Sequence, residues 1–594
     1  MSVHWGGKGP GHVSRWPRGV GAMSPYSGAT MLLDFLNPVL DPRITFSRGT
    51  NATLIDSTGK LTYAPANLLL NSEGTVAQLN ASGNVTDAAP TISGFANSIQ
   101  FGDNSVTRFA YKTLTISGGV PLIASFFVQM DDNSAPVVGT GTTGGDLAII
   151  IDGSYAPTVS VSPVSGNIYR VSGLLAAPTG GGFRNVGIIK NTGQSAKGFR
   201  VTGFQLEQIT YQTTPSTYVA TTASAYYGPR FDYDPVTLAP RGLLIEEART
   251  NLLTYSEAIS TGYVPVRATL VNNATSAPSG VVNATKLVED TTAGSTHIVG
   301  GTITAGATSS FSVFAKAAER TWLYVVSGTA TAYFDLSTGA VGTTANCTGS
   351  TVNMGNGWYR CIISNFTTSS SVYVGPATGN GGASYTGNGT SGLYLWGLQL
   401  EAGGFATSYI PTVASTVTRN ADVATMTGTN FSSWYNQSEG TFVGVGSINV
   451  ATANSGSAGT ASDGTNNNRV LIGFEPSVQG FVAVGGAAQA SLLGGAAAAN
   501  VVNRVAFATK ANDFALTLNG ATVVTDVSGT MPTVDRFNIG ANGLGSGSFL
   551  NGHIRTIAYF NTRLPNAQLQ TLTAPSLATT LSLDFTTGSY NVGF

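Results

Sequence analysis

An all-β, multidomain chain is predicted, and three observations predict it. The first is composition: of 594 residues, 10% are charged, 42% are hydrophobic and 75 are glycine. Disorder goes with low hydrophobicity and high net charge, so this chain is expected to fold. Few charges, many Thr and Val and frequent glycine suit short strands and tight turns. The second is a period of two. Tyr394, Trp396, Leu398 and Leu400 fall on one strand face and Leu393, Leu395, Gln399 and Glu401 on the other. Both faces start apolar, as in the centre of a sandwich. The third is duplication. NLLLNSE at 67–73 returns as NLLTYSE at 251–257, and GFQLE at 203–207 as GLQLE at 397–401. Between them SFFV (125–128) answers SVFA (312–315), and GNIYR (166–170) answers GNGWYR (355–360). The offset grows from 184 to 194 residues, as small loop insertions would make it. A period this long is a duplicated domain.

The length exceeds what one core serves, and the parts follow from the repeat. Residues 1–30 form a basic, Gly-rich arm with Trp5, Lys8, Arg15, Trp16 and Arg18 and no acidic residue. It cannot bury a core of its own and reads as an anchor ordered by docking. Three cations neutralise too few phosphates for DNA, so a protein groove with Trp5 and Trp16 as buried anchors is the preferred reading. A short β segment is expected over 31–63, with Asp56-Ser57-Thr58-Gly59 as its turn. Module one spans 64–222, a Pro-bounded connector 223–245, module two 246–418 and a third β domain 425–594. In that last part Asn519-Gly520 is a strong hairpin signal, and residues 564–572 read as a helix with Pro565 in its first turn.

Several chemistries find little material. A net charge of −1 draws the chain to neither nucleic acid nor an anionic membrane. The N-terminus lacks the apolar core of a signal peptide. The uncharged run 481–502 is mostly Ala and Gly, too weakly apolar to span a bilayer, so no membrane insertion is expected. Four histidines, His4, His12, His297 and His553, are scattered over separate parts, leaving no triad or histidine metal site. Residues 139–144 match GxGxxG, but a strand rather than a helix follows. Glu246-Glu247 and Glu289-Asp290 are sequence neighbours and would point to opposite strand faces, a poor glycosidase pair. Cys347 and Cys361 lie symmetrically about Met354, so a hairpin centred there would bring them together. Two reduced thiols are the preferred reading. The residues select no cofactor, and a structural calcium is left open.

Glycan binding needs flat aromatics with amides or carboxylates beside them. Trp322 with Tyr324, and Tyr394 with Trp396, are spaced to share a strand face. Asp513 and Asn538 are the polar candidates in the last domain. Against each stands the packing alternative, since a paired aromatic on a sandwich strand is more often core.

Two phrases carry a family resemblance. GLLIEEARTNLL at 242–253 resembles a hallmark of phage and prophage fibre or head-spike proteins. So does FSRGTNAT at 46–53, with Gly-Thr-Asn where the family usually has a Ser or Ala pair. Module two, through GWYRC (357–361), GNGTSG (387–392) and TSYIPT (407–412), is similar to the carbohydrate-binding-module-like jelly roll of those proteins. Module one is a decayed copy without the tryptophan. The C-terminal part, closing on AYFNTRLP (558–565), resembles a concanavalin or laminin-G-like lectin sandwich. The resemblance implies two tandem jelly-roll sandwiches followed by a lectin-like one, in a structural protein of the virion surface assembled in bacterial cytoplasm. It further implies docking of residues 1–30 on a capsid or tail protein, two jelly rolls as shaft or shoulder, non-catalytic binding of host surface polysaccharide by the C-terminal lectin-like sandwich, and a homotrimer. A capsid decoration protein without glycan binding and a polysaccharide depolymerase stay open as alternatives.

Overall fold

A computed structural model describes residues 25–116, 120–176, 182–303, 308–449, 456–474 and 477–575. The fold is all-β and multidomain, built from antiparallel two-sheet sandwiches. In module one the sheet running Thr158–Ser165, Ile168–Leu175, Leu122–Met130, Phe199–Gln208, Ile99–Phe101, Thr86–Asp87 faces a second sheet centred on Leu147–Ile151 and Gly182–Lys190. Leu122–Met130 is buried along almost its whole length, because its sheet is covered on both faces. Phe101 and Phe199 stack at 4.8 Å inside that core. Module two repeats the plan with two six-stranded sheets. Its central strand Gly392–Ala402 is buried on both faces, but a bulge at Gly397 (φ +63°) breaks the expected alternation: Leu398 and Leu400 join Leu393 and Leu395 in the core between the sheets, while Tyr394 and Trp396 lie on the opposite face. The chain crosses repeatedly between the two sheets, as from Ile298–Thr302 to Thr308–Ala317 and on to Trp322–Ser327, in the manner of a jelly roll.

The third sandwich corrects the expected boundaries. Its sheets have eight and seven strands, and not all of them come from the C-terminal part. Met31–Asp34 pairs with Gly552–Phe560, Met31 opposite Tyr559. Thr45–Ser47 pairs with Val423–Thr427. Arg230–Tyr233 and Pro240–Ile245 extend the larger sheet, with Leu244 opposite His553. The segments expected as a free-standing β unit (31–63) and a connector (223–245) therefore supply strands to the last domain. Both modules are insertions between its strands. Its core joins Met31, Leu33, Leu243 and Ile245 to Phe442, Phe537, Trp434 and Tyr559. A four-residue strand such as Met31–Asp34 shows which of its faces is buried, and nothing local says which distant sheet it completes.

Several local expectations hold. Asp56 Oδ1 accepts from Thr58 N at 2.8 Å and Lys60 N at 3.1 Å, and Gly59 takes φ +80° to close the Thr53–Ile55/Leu61–Tyr63 hairpin. Asn519 and Gly520 both have positive φ, 50° and 76°, in a turn closed by Ala521 N on Leu518 O at 2.9 Å, and the hairpin pairs Leu516 with Val524. The helix runs Asn566–Thr573, just after Pro565. Residues 138–151 hold two strands and no helix after GxGxxG. The cysteine hairpin is displaced by two residues. Asn353 pairs with Tyr359 and Thr351 with Cys361, so the turn centres on Asn356 and leaves Cys347 well along the partner strand. Both thiols are free. No helix among the described residues is long and apolar enough to cross a membrane. The arm residues Trp5, Lys8, Arg15, Trp16 and Arg18 lie outside the described residues.

Candidate functional site

The repeated phrases build joints. Asn67 donates from Nδ2 to the carbonyls of Phe204 (3.1 Å) and Val219 (2.9 Å), and its Oδ1 accepts from Leu69 N. Asn251 does the same to Leu398 (3.1 Å), Ile410 (2.9 Å) and Leu253 N. Ser72 bonds Tyr218 and Ser256 bonds Tyr409, each at 2.7 Å. Arg170 and Arg360 lie over Phe127 and Phe314, at 5.6 and 5.5 Å. Each asparagine thus ties the first strand of a module to its last. Asn251 Oδ1 also accepts from Leu400 N at 3.1 Å, so Asn251→Ala would orphan four buried backbone groups and is expected to cost about 2–4 kcal/mol, readable as a lowered urea midpoint.

The family-like phrases converge on a buried ionic hub. Arg48, Arg230 and Arg419 surround Glu246 and Asp422, and all five side chains are at most 1% exposed. Arg48 reaches Asp422 at 2.8 Å, Arg230 reaches Glu246 at 2.7 Å and also pairs with Asp422, and Arg419 reaches Glu246 at 3.2 Å. Ser408 donates to Glu246 from N (2.8 Å) and Oγ (2.6 Å). Burial pushes the Arg48 guanidinium down to about 10, with Asp422 pulling the other way. The hub joins the N-terminal strands, the connector and the exit from module two. Glu289, from the second sequence-neighbour pair, is held by Arg320 at 2.9 and 2.6 Å and by Tyr385 at 2.6 Å.

The predicted aromatic pairs part company. Trp396 is 1% exposed and sits in a cluster with Phe314, Trp358 and Tyr409, against which Tyr394 also packs. This face is covered by the 53–63 hairpin: Leu61 and Ile55 join the cluster, and Leu61 N donates to Pro278 O at 3.1 Å. The Tyr394/Trp396 platform is therefore a contact within the chain, a correction to its sugar-binding reading. Asn538 is also structural. It is 5% exposed and donates to the carbonyls of Asn542 and Gly543, both at 2.9 Å. Asp513 pairs with Arg563 at 2.9 Å beside the opposite sheet, so the structure does not join it to Asn538 in one site.

Trp322 and Tyr324 do share an outward face. On Trp322–Ser327 the side chains alternate, with Leu323 and Val325 in the core and Trp322, Tyr324 and Val326 half-buried outside. Tyr333 lies across the ladder from Tyr324, their rings 5.0 Å apart and tilted by 34°. Tyr373, half-buried, stands opposite Val326 on the other side. Beside Trp322, Gly342 permits a close approach: a Cβ there would fall 2.8 Å from the indole and 2.6 Å from Asn380 Oδ1. Exposed Asn380 is pinned by Thr343 N at 2.8 Å, and Asp335 is the ladder partner of Trp322. A flat aromatic row with an amide and a carboxylate at its end is what glycan recognition uses. Tyr333 escaped the sequence reading, although the Gly328 turn (φ +59°) sets the register that places it opposite Tyr324. In module one the corresponding hairpin strand, Leu147–Ile151, carries only aliphatic side chains, and the outward rings there are a half-buried pair, Phe109 and Tyr111, 5.5 Å apart on Arg108–Ile116. Among the described residues no group of three or more His, Cys, Asp or Glu could hold a metal ion.

No protein-family model matches the chain, and no curated protein matches it. Among solved structures it is similar to the NanB sialidase of Streptococcus pneumoniae in complex with a chlorobenzylammonio-ethanesulfonate, at 17% identity and TM-score 0.22, over 25% of this chain and 26% of that one. The match thus spans about a quarter of that sialidase. The CBM40 of the Ruminococcus gnavus IT-sialidase, bound to α2,3 sialyllactose, matches at 16% identity and TM-score 0.21, over 24% and 84%. The tandem CBM22-1–CBM22-2 of Paenibacillus barcinonensis Xyn10C matches at 14% identity and TM-score 0.18, over 57% and 99%.

Proposed function

We propose that the protein is a structural component of a phage or phage-like particle, a fibre or head spike displayed at the virion surface. Residues 1–30 dock it on a capsid or tail protein, it assembles as a homotrimer, and module two binds host surface polysaccharide without cleaving it. The observation that carries the glycan reading is the half-buried row Trp322, Tyr324 and Tyr333, aromatic on the outside of a sheet whose inner face is already a complete core. The virion reading is supported by the sequence phrases at 46–53 and 242–253, which supply Arg48 and Glu246 to the hub. The non-catalytic reading is supported by Glu246 and Glu289, both committed to arginines. Weak sites would gain affinity through copy number.

Binding of the intact protein to purified host polysaccharide tests the reading. Trp322→Ala and Tyr324→Ala are each expected to weaken it roughly tenfold, the scale of one or two lost ring contacts, with the unfolding midpoint unchanged. Release of reducing ends from the polysaccharide, or full binding by the Trp322→Ala/Tyr324→Ala double variant, would count against it.

A further inference from the structure

A second site lies away from the aromatic row, between the two modules. There the chain leaves a cleft of about 1180 Å³. Single small-molecule pockets run to roughly 300–1,000 Å³, so this one has room for several sugar rings. Lys112 and Thr115 of the strand Arg108–Ile116 line one wall, and Ser415 and Val417, on the way out of module two, line the other. Tyr63 and Tyr227, both half-buried, contribute aromatic surface, and Asn51 and Gln208 contribute amides.

The charge of this lining is one-sided. It contains two cations, Lys112 and Arg419, and no carboxylate. Arg419 belongs to a buried group of four guanidinium side chains, Arg48, Arg230, Arg360 and Arg419, and three carboxylates, Glu246, Glu401 and Asp422, a formal excess of one positive charge. Arg419 Nε and Arg230 Nε are buried without hydrogen-bond acceptors, and Arg419 Nη1 meets Glu246 only as an ion pair at 3.2 Å. A net charge held in a low-dielectric junction projects its field into the neighbouring cleft and concentrates ions of opposite sign there. The aromatic row on module two differs, having Asp335 as the ladder partner of Trp322.

The geometry points to the inter-module cleft as a binding site for an acidic saccharide, a short chain whose carboxylates sit over the Arg419 side and whose rings lie against Tyr63 and Tyr227. The hydroxyls of Thr115 and Ser415 and the free amide protons of Gln208 suit ring hydroxyls. This site does not depend on the glycan reading of Trp322 and can stand or fall without it.

Titration calorimetry on the full chain at low salt, with trigalacturonate and trimannuronate and their carboxyl-reduced counterparts, tests the assignment. Both walls offer exposed positions, Ser415 and Thr115, where a large side chain fills the cleft without entering a core. Ser415→Trp and Thr115→Trp are each expected to weaken binding of at least one uronate roughly tenfold or more, and Ser415→Glu and added salt to weaken it severalfold, as screening of a charge-driven contact requires. Trp322→Ala is expected to leave that binding unchanged. The assignment is overturned by equal binding of the reduced sugars, by competition in which simple chloride or sulfate matches the uronates, by absence of uronate binding, or by loss on Trp322→Ala with both wall variants intact.

Discussion

Replacing Arg230 with methionine is expected to cost about 3–5 kcal/mol, the scale of breaking a buried ion pair from one side. Arg230 is wholly buried and joins Glu246 at 2.7 Å to Asp422 and to Ser408 Oγ at 2.6 Å. Without it two carboxylates keep only Arg48 and Arg419, and the junction of three domains loses its bridge. The readout is the denaturant midpoint of the soluble protein, or its appearance in the insoluble fraction. Acid should act in the same direction. Burial pushes Glu246 and Asp422 up, but the surrounding guanidinium groups outweigh it and hold both carboxyls below the usual range. Folded values below unfolded ones mean that this stability is complete above the ordinary carboxylate range near about pH 4 and is lost progressively as pH falls from there toward the depressed folded values. Thermal midpoints measured downward from neutral pH should therefore drop in that window, and much less in Arg230→Met. A pH-independent midpoint in the unaltered protein would contradict the hub's role.

The second large effect concerns domain boundaries. A fragment limited to residues 423–575 should fail to fold, although it contains most strands of the last sandwich. It lacks Met31–Asp34, Thr45–Ser47, Arg230–Tyr233 and Pro240–Ile245, and so exposes the ladder edges of Gly552–Phe560 and Val423–Thr427. It also loses Met31, Leu33, Leu243 and Ile245, each at most 1% exposed, from the core. Open apolar edges aggregate. A fragment of residues 64–228 is the contrasting case. It keeps both sheets of module one, the Asn67 clamp and the closing pair Ala66–Asn67 with Tyr226–Tyr227, and should be soluble and cooperative in unfolding. A cooperatively folded 423–575 fragment would refute the nested arrangement.

The fold class was legible because glycine-punctuated alternation and a long repeat are local or self-referential signals. The nesting was not, since pairing of Thr45 with Thr425 leaves no trace in the neighbourhood of either residue. The candidate site divides along the same line. Trp322 and Tyr324 were readable from their spacing, and alternation alone assigned Tyr394 and Trp396 the same geometry. What separates them is the distant hairpin carrying Ile55 and Leu61, which covers one pair and not the other. Tyr333 lay within reach, one tight turn away. The inter-module cleft was out of reach, because Lys112, Ser415 and Arg419 meet only through the tertiary fold.

The nested topology also sets an order on synthesis. Thr45–Ser47 leaves the ribosome some 380 residues before Thr425, and Met31–Asp34 still longer before Tyr559. Module one can condense while those strands wait, then module two, and the last sandwich closes when its final strand emerges. Closure thereby becomes a test of completeness. A prematurely terminated chain keeps open edges that quality control can recognise, and only a finished one hides them.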